Sequence, residues 1–398
     1  MRTINIALIG AGYGGLLHAN GYSKVSKVPV KIKTVVDAYD LEKARRLANI
    51  YGIENVSMNI EEVLNDPEID IIDICTPPAS HVDLIIKALK AGKNVICEKP
   101  LTGYFGEPED EKPIGIKVPK SKMYKKVIEQ INEVKKVVET SEKLFMYAEN
   151  YVYCPAVTKA AEIIRNKKSK ILFMKGEESL RGSSSPVAGQ WDKTGGGSLI
   201  RIGSHPLSGI LWLKQVEAAA RNEKINVVSV TADMGNTSIN LTEYDKRHLT
   251  SKAYDVEEFA NVTLTFSDNT KAIVIASDNV LGGTKNYIEI YANDGTLMCN
   301  ITPADNLEAY FLDQERLENV EFSEMLPQKT GWNKLFVCDE ILRGYVYELQ
   351  DFVECVAYGR KPVSGFDLAY ETIKIIYAAY LSASEGRKVE LDEGIIKR

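Results

Sequence analysis

Gly10, Gly12 and Gly15 stand as G-x-G-x-x-G directly after the apolar run TINIALIG, with Tyr13 and Gly14 inside the loop they form. A helical stretch follows. In that setting each glycine has a task. Gly10 allows the tight turn, Gly12 lets the backbone approach a pyrophosphate, and Gly15 lets helix and strand pack closely. The helix start then offers N–H groups and a positive dipole end to phosphates. Asp37 closes a second apolar run, VKIKTVVD, about 20 residues beyond the last glycine, where an acid can hydrogen-bond an adenosine ribose. A carboxylate there repels a 2′-phosphate, and Ala38 and Tyr39 supply no arginine to hold one. NAD is therefore the expected cofactor, with NADP less favoured; a domain that binds another nucleotide or none is the bland alternative.

The elements around this loop alternate. TINIALIG, VKIKTVVD, IDIIDICTPP and NVICEKP read as strands, separated by the helical stretches AGYGGLLHANGYSKV, DLEKARRLANIYGI and HVDLIIKALKAGK. Strands alternating with helices of this length build a parallel sheet from βαβ units. KKVIEQINEVKKVVETSEK and LFMYAE add a helix and a strand. Beyond about residue 150 the rhythm changes. NVVSVTADMG, FANVTLTFSDNTKAIVIAS and NYIEIYANDGTLMCNI read as strands joined by tight turns, as in an antiparallel or mixed sheet. Two helices, GYVYELQDFVECVAYG and FDLAYETIKIIYAAYLSASEG, close the chain. The expected domains are 1–150 and 151–398. Residues 103–122, rich in Gly, Pro and charge, interrupt the first as a surface insertion, a lid or an oligomer contact.

Length and composition fit two globular domains: 398 residues, 44% hydrophobic and 26% charged. A net charge of −6 argues against nucleic acid as the main partner. The cysteines, Cys75, Cys97, Cys154, Cys299, Cys338 and Cys355, are scattered without C-x-x-C spacing, which fits free thiols in a reduced cytoplasm. No signal peptide is read before the first strand, no apolar run reaches membrane-helix length, and no zinc-type ligand cluster stands out. Cytoplasmic location and no metal are the expectations.

Several motifs together resemble those of the Gfo/Idh/MocA oxidoreductases: GAGYGGLLHA, CTPPASH, CEKPLT and GGGSLIRIGSH, with YDVEEFANVTLTFSDNT and AYLSASEGRKVEL. The resemblance covers nearly the whole chain apart from 103–122. It implies an α/β architecture, with an N-terminal Rossmann domain on a parallel sheet. A C-terminal α/β domain would carry a large, mostly antiparallel sheet that often builds dimers or tetramers. It implies that Thr76 and Pro77 lie along the cofactor, that Glu98 and Lys99 end the fourth strand, and that the Lys99–Pro100 bond is cis. Lys99 would reach both the nicotinamide ribose and the substrate, and His205 would hold the family's catalytic histidine position. The chemistry agrees. Alcohol oxidation needs a hydride acceptor and a base. A lysine beside a positive nicotinamide deprotonates more easily, and an imidazole near its ordinary pKa takes a proton at neutral pH.

Of the four histidines, His18 and His81 are expected to shape the cofactor pocket by hydrogen bonds, and His248, in YDKRHLTSK, to be exposed. Many relatives carry an aspartate four residues before the catalytic histidine, where this chain has Arg201. Arginine cannot orient an imidazole as a carboxylate does. Arg201 has three open roles: binding an anionic substrate group, hydrogen-bonding sugar hydroxyls, or pairing with an acid such as Glu178 or Asp192. Trp191 offers a ring for a sugar face and Asp192 a hydroxyl contact. Tyr151 and Tyr153 are further cleft candidates. The leading reading is an NAD-dependent dehydrogenase that moves a hydride between nicotinamide and a hydroxyl-bearing carbon of a sugar, sugar acid, cyclitol or glycoside. An NAD-dependent glycosidase using transient oxidation, and a non-catalytic sensor, are the alternatives.

Overall fold

The computed structural model describes residues 2–301, 307–317, 320, 329–335 and 339–391. Cys338 and the last stretch of the expected second domain, 392–398, lie outside the described residues. The first sheet contains β1 (Ile4–Ile9), β2 (Val30–Val36), β3 (Asn55–Ser57), β4 (Ile71–Ile74), β5 (Asn94–Glu98) and β6 (Phe145–Ala148) in the order β3-β2-β1-β4-β5-β6. Every neighbouring pair is parallel. Ile6, Leu8, Ile71, Ile72, Ile74, Val95 and Ile96 are all fully buried. A parallel sheet is covered on both faces, which is why its strands read as continuous apolar runs. The covering helices are α1 (Tyr13–Tyr22), α2 (Leu41–Tyr51), α3 (His81–Lys90) and α4 (Lys120–Thr140). Local signals set their ends: Asp40 accepts the Lys43 N–H at the start of α2, and Gly52 closes it in the left-handed region. The strand order reverses direction between β1 and β4, and ligands of open α/β sheets bind at that switch point.

The second sheet runs β12-β11-β7-β10-β9-β8-β15, from β7 (Ile171–Ser179), β8 (Val227–Gly235), β9 (Phe259–Phe266), β10 (Lys271–Ser277), β11 (Lys285–Ala292) and β12 (Gly295–Asn300) to the short β15 (Val389–Glu390). The strands β13 (Leu307–Phe311) and β14 (Gly331–Leu335) form a separate hairpin. Only β7 and β10 pair in parallel; the other neighbours are antiparallel. Burial alternates along β9 and along β11 as far as Tyr291, so one face is core and the other is half-exposed. Helices α5 (Pro155–Lys167), α6 (Ser204–Arg221), α7 (Tyr345–Tyr358) and α8 (Phe366–Glu385) complete this half. The long helix α8 packs against α4 of the first half and β8 of the second. It therefore belongs to the contact between them.

The segment 103–122 is not a free surface loop. Its start is held at Tyr377, whose hydroxyl accepts the Tyr104 N–H and donates to the Gly195 carbonyl. Further on, the Asp255 carboxylate accepts from the Gly115 N–H at 2.9 Å and from the Trp191 N–H at 2.7 Å. One buried carboxylate thus ties the insertion to the loop at 180–197. Leaving a buried donor unsatisfied costs about 1–3 kcal/mol. We expect Asp255→Ala, which strands two, to lower unfolding free energy by about 2–4 kcal/mol in urea titrations. Limited proteolysis should then cut first within 103–119.

Candidate functional site

The glycine loop has the shape a dinucleotide needs. Gly10 has φ +99°, and a Cβ there would lie 2.7 Å from the Cys75 carbonyl oxygen. A Cβ on Gly15 would collide with the Gly10 carbonyl. Gly12 is the N-cap of α1; it makes no side-chain cap, and no acid stands in the first turn. A Cβ on Gly12 would meet nothing nearer than the Lys43 ammonium at 3.8 Å. The helix start and the space before it therefore fit a pyrophosphate. Tyr13 is partly exposed at this rim, and Gly14 sits over Cys75 and Glu98. Asp37 is locked in place: Oδ2 accepts from Ala11 N–H at 3.1 Å, and Oδ1 from Tyr39 and Asp40 N–H at 3.1 and 3.0 Å. It remains half-exposed beside the loop.

The ends of β4 and β5 form the other wall. Thr76 is half-buried and Pro77 exposed; the Thr76 and Ser80 hydroxyls lie 2.7 Å apart. His81 is fully buried, with Nδ1 2.9 Å from the Pro100 carbonyl and Nε2 2.8 Å from the Thr76 carbonyl. Burial holds its pKa below the ordinary value. It shapes the pocket by tying the ends of β4 and β5 together. Both ring nitrogens face backbone carbonyls. His18 lies between two carboxylates, Nδ1 2.8 Å from Asp73 and Nε2 3.2 Å from Glu98. Burial disfavours charge on its ring, but Asp73 and Cys75 together outweigh it and raise the pKa well above the ordinary value. Burial would raise Glu98 in turn, yet the His18 hydrogen bond and charge, with Lys99, hold it below the usual carboxylate value. Glu98 Oε2 accepts the Lys99 N–H at 2.9 Å, so the side chain braces the lysine's own backbone. The Lys99–Pro100 bond is cis, as expected.

Lys99 Nζ donates to the Arg201 carbonyl at 2.7 Å, joining the two halves. Arg201 lies in a five-residue π turn, Leu199–Gly203, that leads into α6. Such turns are rare and frequent at functional sites. Pro206, five residues on, has no N–H to give that carbonyl. The start of the turn is fixed by Glu257, which accepts from Gly197 N–H at 2.9 Å, Leu199 N–H at 2.9 Å and the Tyr380 hydroxyl at 3.0 Å. Gly196, at φ +149°, would drive a Cβ into the Tyr380 hydroxyl. The glycine run thus serves this clamp, not an approach to the cofactor.

His205, 7% exposed, follows at the start of α6. Its Nδ1 lies 2.7 Å from Glu149 Oε1, and its ring stacks on Tyr151 at 4.7 Å and 16°. Tyr151 in turn donates to Glu178 at 2.7 Å. The expectation of an ordinary imidazole pKa does not hold: burial, then the Lys99 charge, push His205 down to about 3. Burial pushes Glu149 up to about 8 against the pull of Lys99.

The substrate-side expectations fare less well. The Arg201 guanidinium pairs with Asp278, at the end of β10, and not with Glu178 or Asp192. Tyr153 is core: its hydroxyl donates to Asp351 at 2.7 Å and accepts from Ser364 N–H at 3.0 Å, and its ring packs edge-on to Phe352. Trp191 is 2% exposed. Its ring is covered by Tyr380 at 4.8 Å and by Lys120 Nζ at 4.0 Å, so no face is open to a sugar. Asp192 is 28% exposed, 3.9 Å from Lys112 of the insertion. His248 is exposed, as expected. Glu149, Asp278 and Glu257 were not anticipated. Glu149 alone carried a signal: it is an acid at the carboxyl end of the last parallel strand, where sites of such sheets gather.

Models of known families match both halves. The oxidoreductase family, NAD-binding Rossmann fold, matches residues 4–148, and the GFO/IDH/MocA C-terminal domain matches 171–298. Levoglucosan dehydrogenase of Pseudarthrobacter phenanthrenivorans is 24% identical over 99% of both chains. Among solved structures, GenD2 from gentamicin A biosynthesis in complex with NAD is similar with TM-score 0.77 and 22% identity, covering 98% of this chain and 97% of that one. Levoglucosan dehydrogenase in complex with NADH and levoglucosan follows the same fold, with TM-score 0.71, 21% identity, and 98% and 100% coverage. The glycine loop, the parallel sheet and most of the partner sheet thus fall within the matched stretches, and the chain belongs to the Gfo/Idh/MocA family of NAD-binding oxidoreductases.

Proposed function

We propose that this chain is an NAD-dependent dehydrogenase acting on a secondary alcohol or anomeric carbon of a sugar, sugar acid, cyclitol or glycoside. One observation carries the reading. Lys99 from the first half and His205 from the second converge beside the cofactor loop, and two proton-handling side chains are what alcohol oxidation requires. Residues 1–150 would form the dinucleotide-binding domain and 151–398 the substrate-binding and oligomer-forming domain. Gly10, Gly12, Tyr13, Gly14 and Gly15 would hold the pyrophosphate, Asp37 the adenosine ribose, and Thr76, Pro77 and Lys99 the nicotinamide end. Bound there, the dinucleotide supplies a hydride acceptor. Lys99 and His205 would take the hydroxyl proton, and Tyr151 would hold the His205 ring in plane.

The half-exposed sheet face, where Phe173 and Tyr291 stack at 5.8 Å, supports a homodimer or homotetramer. Apolar rings on an open sheet face are satisfied by a second copy. The described cysteines are all free and buried, which fits a reducing cytoplasm. No helix among the described residues is long and apolar enough to cross a membrane, and the negative charge disfavours nucleic acid.

For Arg201 the structural pairing is the reading with most support, because Asp278 is buried and burial pushes its carboxyl up while Arg201 pulls it down. Removing one partner of a buried pair costs about 3–5 kcal/mol, whereas replacing both is close to neutral. Arg201→Met should therefore destabilise the protein by that amount in urea, and Arg201→Met with Asp278→Leu should recover most of it. A rise in KM confined to acidic sugars, without loss of stability, would assign the guanidinium to substrate instead.

The activity test is NAD⁺ with a panel of polyols, aldoses, uronates and glycosides, followed by NADH absorbance and product analysis. Net NADH is expected. Aglycone release without net NADH would support the transient-oxidation glycosidase, and cofactor binding with neither would support the sensor. Lys99→Met and His205→Asn should each lower kcat/KM about 10²–10⁴-fold; His205→Asn should leave the Kd for NADH within a few-fold, while Lys99→Met should also raise it. Asp37→Ser should weaken NADH binding about tenfold or more, the worth of a hydrogen bond to a charged group, and narrow the preference over NADPH.

A further inference from the structure

Glu149 has no part in the reading above, yet it is in direct contact with His205. It directly follows β6 and is fully buried. Its Oε1 touches His205 Nδ1 at 2.7 Å and accepts weakly from the Tyr151 N–H at 3.3 Å. Its Oε2 is buried without a hydrogen-bond partner. A carboxylate left so under-satisfied is costly, and here it faces an imidazole whose other nitrogen, Nε2, makes no hydrogen bond to the described residues. The arginine at 201 faces Asp278 and gives His205 no carboxylate from its own segment.

We propose that Glu149 is a positioning residue that sets the His205 tautomer: ionised, it accepts from Nδ1–H and leaves Nε2 a base; protonated, it donates to Nδ1 and forces the ring proton onto Nε2. The proposal rests on the dehydrogenase reading. In the ionised state the proton leaving the substrate hydroxyl bonds to Nε2, the O–H pair closes the C=O bond, and the C–H pair leaves as the hydride that a bound dinucleotide would accept. As Nε2 gains its proton, the Nδ1 proton passes to the Glu149 carboxylate, so the ring keeps one proton, as its low pKa requires. In the protonated state Nε2 is a donor, suited to delivering a proton to a carbonyl in the reverse direction. One buried acid thus selects between oxidation and reduction.

The charged and titratable groups around the pair come from several elements. Lys99 and Glu98 face it from the end of β5, Glu178 from β7, Arg343 from the segment before α7, and Glu348 from α7. Tyr147 and Cys154 lie on the same stretch as Glu149, and Ser208 stands near it on α6. Among these, Lys99 favours the ionised carboxylate and Glu98 disfavours it. Burial is the larger effect, so Glu149 gives up its proton at about pH 8. The sign follows: kcat/KM for oxidation rises as pH passes upward through that value, and kcat/KM for carbonyl reduction falls.

The test pairs kinetics with a readout that needs no turnover. In ¹⁵N-histidine-labelled protein, with His205 assigned by its loss in His205→Asn, Nδ1 should change from an acceptor-type to an N–H-type shift as pH rises through about 8, and Nε2 should do the reverse. In Glu149→Gln that exchange should vanish, and the rising limb of the oxidation profile should vanish with it, lowering kcat/KM above pH 8 at least about tenfold. Glu149→Asp, which keeps the acid, should retain a limb at a displaced pH. An unchanged limb and unchanged tautomer shifts in Glu149→Gln overturn the proposal while leaving the dehydrogenase reading intact. Wild-type protein that switches tautomer but yields no NADH with any panel member leaves the switch standing and removes the reading it serves.

Discussion

The bond from Lys99 Nζ to the Arg201 carbonyl is the constraint around which the site is built. It crosses from the end of one sheet to the turn that begins α6, so the lysine is placed only when both halves are folded and docked. Each end of the bond is fixed independently. On the lysine side, Asp73, His18 and Glu98 form a buried charged chain that terminates on the Lys99 N–H. On the acceptor side, Glu257 holds the first N–H groups of the turn, and Pro206 withholds the main-chain donor that could compete for the carbonyl. Because the acceptor is backbone, the side chain at 201 is released from orienting the lysine. That is how an arginine can stand at a position where an acid would otherwise be read as essential.

The same arrangement explains the electrostatics. Burial of His205, and then the positive charge of the partly buried Lys99 beside it, make the imidazole resist a second proton. Nearby Glu98 and Glu348 make a further negative charge at Glu149 unfavourable. Glu348 is itself pushed well above the usual carboxylate value by burial, with Glu98 and Glu149 adding to the rise against His18. The geometry decides where a shared proton matters: at the His205–Glu149 contact, because Nε2 is the one nitrogen of that pair left to meet a substrate.

How much of this was legible in the sequence depends on range. The parallel sheet was readable because β1, β4 and β5 are buried on both faces and so appear as unbroken apolar runs. The dinucleotide loop was readable because its three glycines serve backbone geometry within a few residues of one another. β3, at three residues, is too short for any periodicity, so the strand read as the fourth is the fifth. The aromatic assignments failed for a different reason. Tyr153 and Trp191 lie in short helical turns between longer elements, but an aromatic ring is as useful in a core, and their partners Asp351, Tyr380 and Lys120 lie far along the chain. The ion-pair role for Arg201 was among the alternatives, yet its partner could not be named, because Asp278 reaches it only through the register of β10 beside β7.

A short-range motif therefore locates the cofactor, while long-range pairings decide the chemistry. This asymmetry bears on how a catalytic acid can move within one fold. A histidine that must accept a proton needs a carboxylate against Nδ1, but the requirement is geometric and says nothing of where in the chain the carboxylate originates. The end of β6 lies beside α6 by virtue of the docking that places Lys99. An acid at 149 meets the need that an acid at 201 would otherwise meet, and it does so from the rigid end of a buried strand instead of from a turn. The cost is desolvation, visible in a carboxyl raised to about 8. That cost also gives the site its dependence on pH, since an acid held nearer the ordinary carboxylate range would remain ionised throughout and could not reverse the ring.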